Sequence, residues 1–273
     1  NVDSFAYGPD DRHILLAPLA YGASSGPIYG SLLTGGALLP YDLKAQGLAG
    51  LAQWLMDERI TVYQSVATTF RHLAWTLTGQ EQFSDLRLVR LGGDTIQRQD
   101  VELFQRLFPS HCLLAIGMAT SETGSICRHV LRHDTQLPGE IVPAGYPEPE
   151  REIWLLDENG NPVGPGEAGE IAVRSRYIVN GYWRRPELTR QKFLPDPEGG
   201  DRRIYLTGDL GRFRPDGMLE HLGRVDTQVK VRGHRIETGE VELALLQIDG
   251  IQEAVAAAQE LPSGDRRLVA YLV

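Results

Sequence analysis

A patterned run near the C-terminal end of the chain carries acidic and basic residues in a fixed order. It reads YLTGDL at 205–210, then Asp216-Gly217, then GRVDTQVKVRGHRIE at 223–237. Asp216-Gly217 predicts a hairpin turn, which would place Asp209 and Arg224 on neighbouring strands. A carboxylate can accept hydrogen bonds from two adjacent hydroxyl groups. The structural alternative is a surface ion-pair cluster in a β-hairpin.

A second polar group follows an apolar strand predicted at 112–116. The loop after it reads GMATSETG at 117–124 and contains Ser121 and Glu122. Magnesium takes few protein carboxylates and completes its shell with water and phosphate oxygens, so one Glu on such a loop is chemically sufficient. The carboxyl ends of parallel strands also form a ligand crevice. The alternative is a polar loop that caps the strand.

Gly92-Gly93-Asp94 ends another predicted strand, at 86–91. Glycines at a strand end let the backbone approach a flat ring closely. Ordinary turns also use Gly-Gly, so this pair alone is not specific.

Together these segments resemble the adenylate-forming superfamily, which includes amino-acid adenylation domains, acyl-CoA synthetases and luciferases. The resemblance covers residues 10–273 and includes GYW at 181–183 and PELT at 186–189, which are typical of the amino-acid-activating branch found in nonribosomal peptide synthetases. It implies a nucleotide-binding set formed by Gly92, Gly93, Asp94, Met118, Ala119, Ser121, Asp209 and Arg224.

The resemblance also implies individual roles. Asp209 and Arg224 would hold the ribose, and Met118 stands where an aromatic residue stacks on adenine. Ser121 keeps the hydroxyl that contacts the α-phosphate, and Glu122 keeps the carboxylate that helps to hold Mg²⁺. Ser121 and Glu122 are therefore the predicted catalytic residues.

The implied activity is that of an adenylate-forming ligase. ATP, with Mg²⁺, would activate a carboxylic acid as an acyl-adenylate, and a phosphopantetheine thiol on an acyl or peptidyl carrier domain, in cis or in trans, would then accept the acyl group. Asp226 matches the hinge about which the C-terminal domain rotates between these steps, and a hinge needs only a few such positions. An acyl-CoA or fatty-acyl-AMP ligase is an alternative within the same superfamily.

The same alignment predicts the acid-binding pocket. Gly22 stands where amino-acid-activating members carry an Asp that pairs with the α-ammonium of the substrate. A buried ammonium without a carboxylate is costly, so we expect an acid without an α-amine: a fatty, aryl, hydroxy or keto acid. The alternative is that a different acidic residue supplies the charge. The glycines could instead serve only turns and close packing. The other predicted pocket residues are Ala23, Gly26, Gln64, Gly117, Ser125 and Ile126.

Two segments of the superfamily pattern have no counterpart in this sequence. A phosphate-binding loop ending in Pro-Lys-Gly would precede Asn1, and a C-terminal lysine would follow Val273. The loop cradles phosphates through backbone amides, and the lysine stabilises developing negative charge. We therefore expect a fragment of a longer enzyme that forms little acyl-adenylate alone. A non-catalytic module that binds nucleotide or docks a carrier is a second alternative.

A third alternative comes from GASSG at 22–26, which fits the Gly-x-Ser-x-Gly nucleophile elbow of α/β-hydrolases. That fold needs an oxyanion loop upstream and an acid and a histidine downstream. His221 and His234 qualify only by their order in the chain.

Apolar periodicity predicts the elements that position these residues. Strands and amphipathic helices alternate in the first part of the chain, which favours right-handed β-α-β crossovers and a mostly parallel sheet. After Pro138, prolines and glycines become frequent and the helical period disappears. The expected α/β fold has three parts: an α/β core (1–138), a small β-barrel-like subdomain (139–222), and a hinge with a partial α+β C-terminal domain (223–273).

Composition excludes several other classes. The 273 residues are 42% hydrophobic and 23% charged, with a formal net charge of -9, so no broad basic surface for nucleic acid is implied. Cys112 and Cys127 fit no zinc pattern and are expected to be buried. No apolar run approaches the ~20 residues of a membrane span, so we expect a cytoplasmic protein without a membrane partner.

Overall fold

Seven strands form a mixed sheet in the N-terminal part of the molecule. The structure is a computed structural model that describes residues 5–137, 139, 141–226, 228–231, 233–261 and 264–273. The strands of this part are β1 (Arg12–Leu15), β2 (Ala37–Pro40), β3 (Val62–Val66), β4 (Leu88–Gly92), β5 (Leu113–Ile116), β6 (Ala119–Thr120), β7 (Gly124–Ser125), β8 (Cys127–Leu131) and β9 (Tyr146–Pro147). The order is β2-β1-β3-β4-β5-β8-β9. Strands β1 to β5 run parallel, which confirms the mostly parallel sheet, and β8 and β9 add an antiparallel edge.

Helices connect the parallel strands, as the alternating pattern predicted. They are α1 (Ser25–Thr34), α2 (Leu43–Gln46), α3 (Leu51–Asp57), α4 (Ala67–Thr76) and α5 (Arg98–Leu107). Helix α5 begins with a capping box, in which the Gln97 backbone N–H donates to Asp100 at 2.8 Å. Its buried side chains, Val101 and Phe104, recur on one face and pack on the sheet.

The two faces of the sheet differ because side chains alternate along each strand. One face carries the main core, where strand residues such as Tyr63 and Val89 pack against α3, α4 and α5. The other face carries a smaller cluster that includes Val62 and Leu88, covered by Phe5 and Tyr7. Gln64 of β3 and Arg90 of β4 follow Val62 and Leu88 by two residues, so their side chains also lie on this second face.

A second, antiparallel sheet follows. Its strands are β10 (Glu152–Leu156), β11 (Gly169–Ser175), β12 (Phe193–Pro195), β13 (Arg203–Phe213) and β14 (Leu219–Arg224), with helix α6 (Pro186–Lys192) before β12. The order is β10-β11-β13-β12, and β14 pairs with the remaining length of β13. On its outer side β10 makes only a β-bridge from Leu156 to Pro162, and no further strand within the described ranges pairs there, so this subdomain is an open sheet and not a closed barrel. The predicted turns at Asn159-Gly160 and Asp216-Gly217 are confirmed, with positive φ at both glycines.

The C-terminal part is a partial α+β unit, as predicted. It contains β15 (Gln228–Val231), β16 (His234–Glu237), α7 (Thr238–Leu245), β17 (Ala254–Glu260) and β18 (Arg266–Leu272), which form two hairpins and one helix. The predicted domain boundaries remain predictions: Pro138 lies outside the described residues, and β14 runs across position 222.

The C-terminal part contacts the core through a buried ion pair. Arg71 of α4 is 2% exposed, and its Nε lies 2.6 Å from an oxygen of Asp100. Its Nη1 also lies 3.4 Å from Asp265, just before β18, and His72 Nε2 is 3.3 Å from the same carboxylate. This contact ties the last hairpin to the start of α5.

Candidate functional site

Asp209 on β13 lies directly opposite Arg224 on β14, as the predicted hairpin requires. Its side chain is 1% exposed, and Oδ1 accepts a hydrogen bond from Arg224 Nη1 at 2.7 Å, with His221 Nε2 3.0 Å away. The other oxygen, Oδ2, is buried and has no hydrogen-bond partner among the described residues. A buried carboxylate oxygen without a donor is costly, so Oδ2 is suited to accept a hydrogen bond from a ligand.

Neighbouring charges decide the ionisation of Asp209. Burial raises the pKa of this carboxyl, but the His221 hydrogen bond and the charges of Lys230 and Arg224 outweigh burial and leave the pKa below its ordinary value. Asp209 is therefore ionised at neutral pH. From the sequence, His221 was a candidate only for the hydrolase alternative. A register shift between Leu210 and Gly211 places the His221 side chain beside that of Asp209, and the strand pattern in the sequence does not indicate this shift.

Arg224 is held in place from a second side. Its Nε and Nη2 donate to the two oxygens of Asp226, each at 2.7 Å. Gly208 permits this clamp, because a Cβ there would lie 2.6 Å from both Arg224 Nη2 and an Asp226 oxygen, and its φ is +75°. Asp226 therefore orients Arg224, and its role as a hinge remains a prediction.

The loop after β5 meets the start of α1. Ser121 is exposed at the tip of this loop, and a Cβ on Gly22 would lie 3.1 Å from its hydroxyl oxygen. The predicted phosphate contact and the predicted head of the acid pocket are therefore neighbours. This proximity is what an attack by an acid on an α-phosphate requires.

Glu122 is 7% exposed and fully hydrogen bonded. Its Oε1 accepts from Tyr182 Oη at 2.7 Å and from Arg235 Nη1 at 3.1 Å, and Oε2 lies 3.3 Å from the same nitrogen. Burial raises the pKa of Glu122, but the Tyr182 hydrogen bond and the Arg235 charge hold it below its ordinary value. Tyr182 and Arg235 were missed as site residues because they lie far from Glu122 in sequence.

This arrangement bears on the predicted Mg²⁺ site. The described part of the chain contains no group of three or more His, Cys, Asp or Glu that could hold a metal. Both oxygens of Glu122 are engaged by Arg235. Glu122 fits Mg²⁺ only when Arg235 withdraws and when phosphate and water supply the remaining ligands.

The predicted adenine-binding glycines lie where β4 and β5 end. A Cβ on Gly92 would lie 3.4 Å from the carbonyl oxygen of Gly117. Gly93 has φ +81°, and a Cβ there would lie 3.0 Å from Val66 Cγ1. Asp94 accepts a hydrogen bond from Thr68 at 3.3 Å, and burial raises its pKa.

Met118 and Ala119 differ in exposure. Met118 is 6% exposed and packs in the cluster that joins the two sheets, against residues such as Ile126 and Ile153. Ala119 is exposed. Met118 thus presents little free surface here, and its stacking on adenine remains a prediction.

Four of the predicted pocket residues come together beside α1. Gln64 Nε2 donates to the backbone oxygen of Ala23 at 2.8 Å, and a Cβ on Gly26 would lie 2.9 Å from Gln64 Oε1. Gly22 begins the same turn. A residue that the sequence analysis missed, Arg90, also lies here, with Nη1 3.0 Å from Gln64 Oε1.

The other three predicted pocket residues lie towards the second sheet. Ile126 is fully buried, and the Ser125 hydroxyl donates to Glu148 at 3.2 Å. A Cβ on Gly117 would collide with the backbone oxygen of Cys127, so close packing alone requires this glycine. Their contact with a substrate remains a prediction.

The hairpin formed by β15 and β16 lies over the site. Tyr21 Oη is 2.9 Å from His234 Nδ1, and a Cβ on Gly233 would lie 2.6 Å from Val66 Cγ1. The Arg235–Glu122 ion pair is the third contact. The hairpin therefore closes the space between α1, the β4 end and the loop after β5.

The hydrolase alternative is wrong. The Ser24 hydroxyl donates to the backbone oxygens of Tyr21 and Leu19, at 2.8 and 3.3 Å. His221 pairs with Asp209 and His234 with Tyr21, so neither candidate histidine serves Ser24 as a general base.

Cys112 and Cys127 are free and buried, as predicted, and burial raises the pKa of each thiol to about 12. None of the helices in the described ranges has the length and apolar character needed to cross a membrane.

Comparison with known proteins places this geometry in context. The family model described as AMP-binding enzyme matches residues 1–183. The chain is 32% identical over 277 aligned residues to tyrocidine synthase 3 of Brevibacillus parabrevis, covering 100% of the chain and 4% of that protein. It is 33% identical over 267 aligned residues to tyrocidine synthase 2 of the same organism, covering 97% of the chain and 7% of that protein. The chain thus spans only a small part of these relatives.

Among solved structures, holo-PA1221 is similar. It is described as an NRPS protein containing adenylation and PCP domains, bound to a vinylsulfonamide inhibitor. The TM-score is 0.86 at 28% identity, with 97% of this chain and 46% of that chain covered. With the family model matching well over half of its length, the chain belongs to the AMP-binding enzyme family, the adenylate-forming superfamily that its motifs resemble.

Proposed function

We propose that the protein containing this chain activates a carboxylic acid with ATP as an acyl-adenylate and transfers the acyl group to the phosphopantetheine thiol of a carrier domain. The observation that carries this proposal is Asp209: an ionised, buried carboxylate with one unpartnered oxygen, fixed beside Arg224. A ribose hydroxyl supplies the donor that Oδ2 lacks. The adenylation and PCP domains named for holo-PA1221 support the carrier as partner.

In the first step, the residues of this chain position the two reactants. Asp209 and Arg224 hold the ribose, and the Ser121 hydroxyl donates to the α-phosphate. The acid lies along the pocket from Gly22, so that one carboxylate oxygen attacks the α-phosphorus and pyrophosphate leaves. Glu122 would hold Mg²⁺, which would supply positive charge to neutralise the phosphates.

In the second step, the carrier thiol attacks the carbonyl carbon of the acyl-adenylate. The C–S bond forms, the bond to AMP breaks, and the thiol proton passes to solvent. The closed hairpin, with Gly233 on Val66 and Arg235 on Glu122, corresponds to this step, because Arg235 then neutralises the carboxylate in place of the metal. We infer that rotation about Asp226 withdraws Arg235 for the first step.

The pocket also supports an acid without an α-amine. Gly22 offers no carboxylate to an ammonium, and in the first step Glu122 would be engaged by Mg²⁺. A charged amine placed near Gly22 would therefore lose hydration without a partner.

Acid-dependent exchange of pyrophosphate into ATP, measured on the complete protein, tests the proposal. We expect exchange with an acid that lacks an α-amine, and a strong loss in the Asp209→Asn variant. Acyl transfer to a holo-carrier domain compared with coenzyme A then separates the proposed function from a CoA ligase. No exchange with any carboxylic acid, or exchange unaffected by Asp209→Asn, would contradict the proposal.

A further inference from the structure

A guanidinium group lies at the inner end of the predicted acid pocket. Arg90 of β4 pairs in register with Gln64 of β3, and both side chains lie on the sheet face that α1 covers. Arg90 Nη1 donates to Gln64 Oε1 at 3.0 Å and to Tyr7 Oη at 3.1 Å. A Cβ on Gly26 would lie 3.2 Å from the same nitrogen. Gly26 therefore lets the α1 backbone lie against the Arg90 and Gln64 side chains with no side chain between them.

The charge of Arg90 is not neutralised by a carboxylate among the described residues. Its hydrogen-bond partners are a neutral amide and a phenol, and its guanidinium lies 4.5 Å from the centre of the Phe5 ring. Two arginines that lie over the same aromatic pair, Phe5 and Tyr7, behave differently: Arg87 pairs with Asp11 at 2.6 Å, and Arg128 lies 3.6 Å from Glu148. A half-buried cation without an anion is unfavourable, so the site favours an anionic ligand.

The position of Arg90 relates this charge to the reacting end of the acid. Gly22 lies at the Ser121 hydroxyl, where the proposed reaction takes place, and Gly26 lies at Arg90. Gly26 is four positions after Gly22, along the 3₁₀ turn Gly22–Ser24 and the start of α1, which corresponds to about 6–8 Å along the axis. A short acid whose carboxylate meets the α-phosphate at Gly22 would thus place its other end at Arg90.

We propose that the substrate is a short dicarboxylic acid, whose second carboxylate is bound by Arg90. One carboxylate reacts with ATP, and the other pairs with the guanidinium, which presents several donors in a planar fork suited to a carboxylate. Gln64 positions this fork by accepting from Nη1 while its own amide is anchored on Ala23. The inference rests on the proposed function and adds the class of acid and a specificity-determining residue, Arg90.

The first test compares acids matched in carbon chain. Pyrophosphate exchange by the complete protein is measured with succinate, glutarate and adipate, and with butyrate, pentanoate and hexanoate. A charge-assisted hydrogen-bonded pair predicts that the preferred diacid exceeds its monoacid counterpart about 10- to 100-fold in kcat/KM. Equal or lower values for every diacid overturn the inference, and exchange with the monoacids would still uphold the proposed function.

Variants identify Arg90 as the source of the preference. Arg90→Leu should bring the diacid-to-monoacid ratio to about one, and Arg90→Lys should retain part of it because the charge remains. Arg59→Leu removes a guanidinium from an exposed surface pair with Asp85 and should leave the ratio unchanged. A ratio that survives Arg90→Leu, in protein whose circular dichroism and melting match the wild type, overturns the inference.

Direct measurement of acid binding needs neither catalysis nor a folded Arg90→Leu variant. Saturation-transfer NMR of glutarate and pentanoate, with AMP present, should show binding of glutarate that Arg90→Lys weakens. This result identifies Arg90 as a carboxylate-binding residue independently of exchange, so a failure of the proposed function is distinguished from a failure of the Arg90 site. Equal signals from the two acids contradict it.

Discussion

Replacement of Asp209 by Asn tests the sugar site with almost no change of shape. Arg224 and His221 already occupy Oδ1, so only Oδ2 is left to accept a hydrogen bond from a ribose hydroxyl. Hydrogen bonds to charged groups contribute about 1.5–3 kcal/mol, which corresponds to roughly 10- to 100-fold in affinity. Arg224 stays in place because Asp226 still holds it. We therefore expect adenosine to bind about 10- to 100-fold more weakly to Asp209→Asn.

Calorimetric titration with adenosine and with 2′,3′-dideoxyadenosine isolates this effect. The variant should lose affinity for adenosine and little for the dideoxy analogue, which has no hydroxyl to offer Oδ2. Asp216→Asn changes an exposed turn carboxylate that pairs with Arg214, and it serves as the matched control. Equal losses for the two nucleosides, or no loss for adenosine, would refute the assignment of Oδ2 as the acceptor.

Three further predictions concern the framework around the site. Arg71→Ala leaves the buried Asp100 without its charge partner, so urea denaturation should show a free energy of unfolding lower by about 3–5 kcal/mol. Arg59→Ala, in an exposed pair, should lower it by less than ~1 kcal/mol. Similar losses in the two variants would contradict this prediction. Gly233→Ala places a Cβ against Val66 at φ +77°, a strain of about 1–3 kcal/mol, and hydrogen exchange across β15 and β16 should accelerate. Burial raises the pKa of Asp11, but hydrogen bonds from Arg87 and Thr61 outweigh burial and lower this pKa from 3.8 to about 2. The stability that Asp11 contributes is therefore present above pH 3.8 and lost as the pH falls towards 2. Asp11→Asn should flatten the pH dependence of the urea midpoint over that window.

Local patterns in the sequence were sufficient to predict the order of strands and helices. Alternating apolar strands and helices predicted the parallel sheet, because each β-α-β unit buries its own apolar face against its neighbours. The Asp216-Gly217 turn predicted that Asp209 and Arg224 lie on neighbouring strands, and their direct pairing also depends on the register shift at Leu210 and Gly211. The antiparallel edge formed by β8 and β9 was not predicted, since short apolar strands carry no mark of their direction.

Contacts between segments far apart in the sequence could not be predicted from local patterns. The hydrogen bond from Arg235 to Glu122 joins residues 113 positions apart, and nothing in either segment specifies the other. In the sequence Arg90 is an ordinary strand residue, and only the placement of α1 shows that Gly26 lies against it.

The sequence by itself determined the family, the strand–helix order and the placement of Asp209 and Arg224 on neighbouring strands, because these depend on periodicity and on turns a few residues long. Only the tertiary structure decided which buried polar atoms lack a hydrogen bond and which charged side chains lack a group of opposite charge. The local sequence does not distinguish Asp209 or Arg90 from residues whose side chains are fully paired. Among the residues that the structure describes, the packing of α1, the sheet and the C-terminal hairpin gives Asp209 Oδ2 no hydrogen-bond donor and the Arg90 guanidinium no carboxylate. Burial and neutralisation are properties of the whole fold, and in this protein they indicate where the ligands bind.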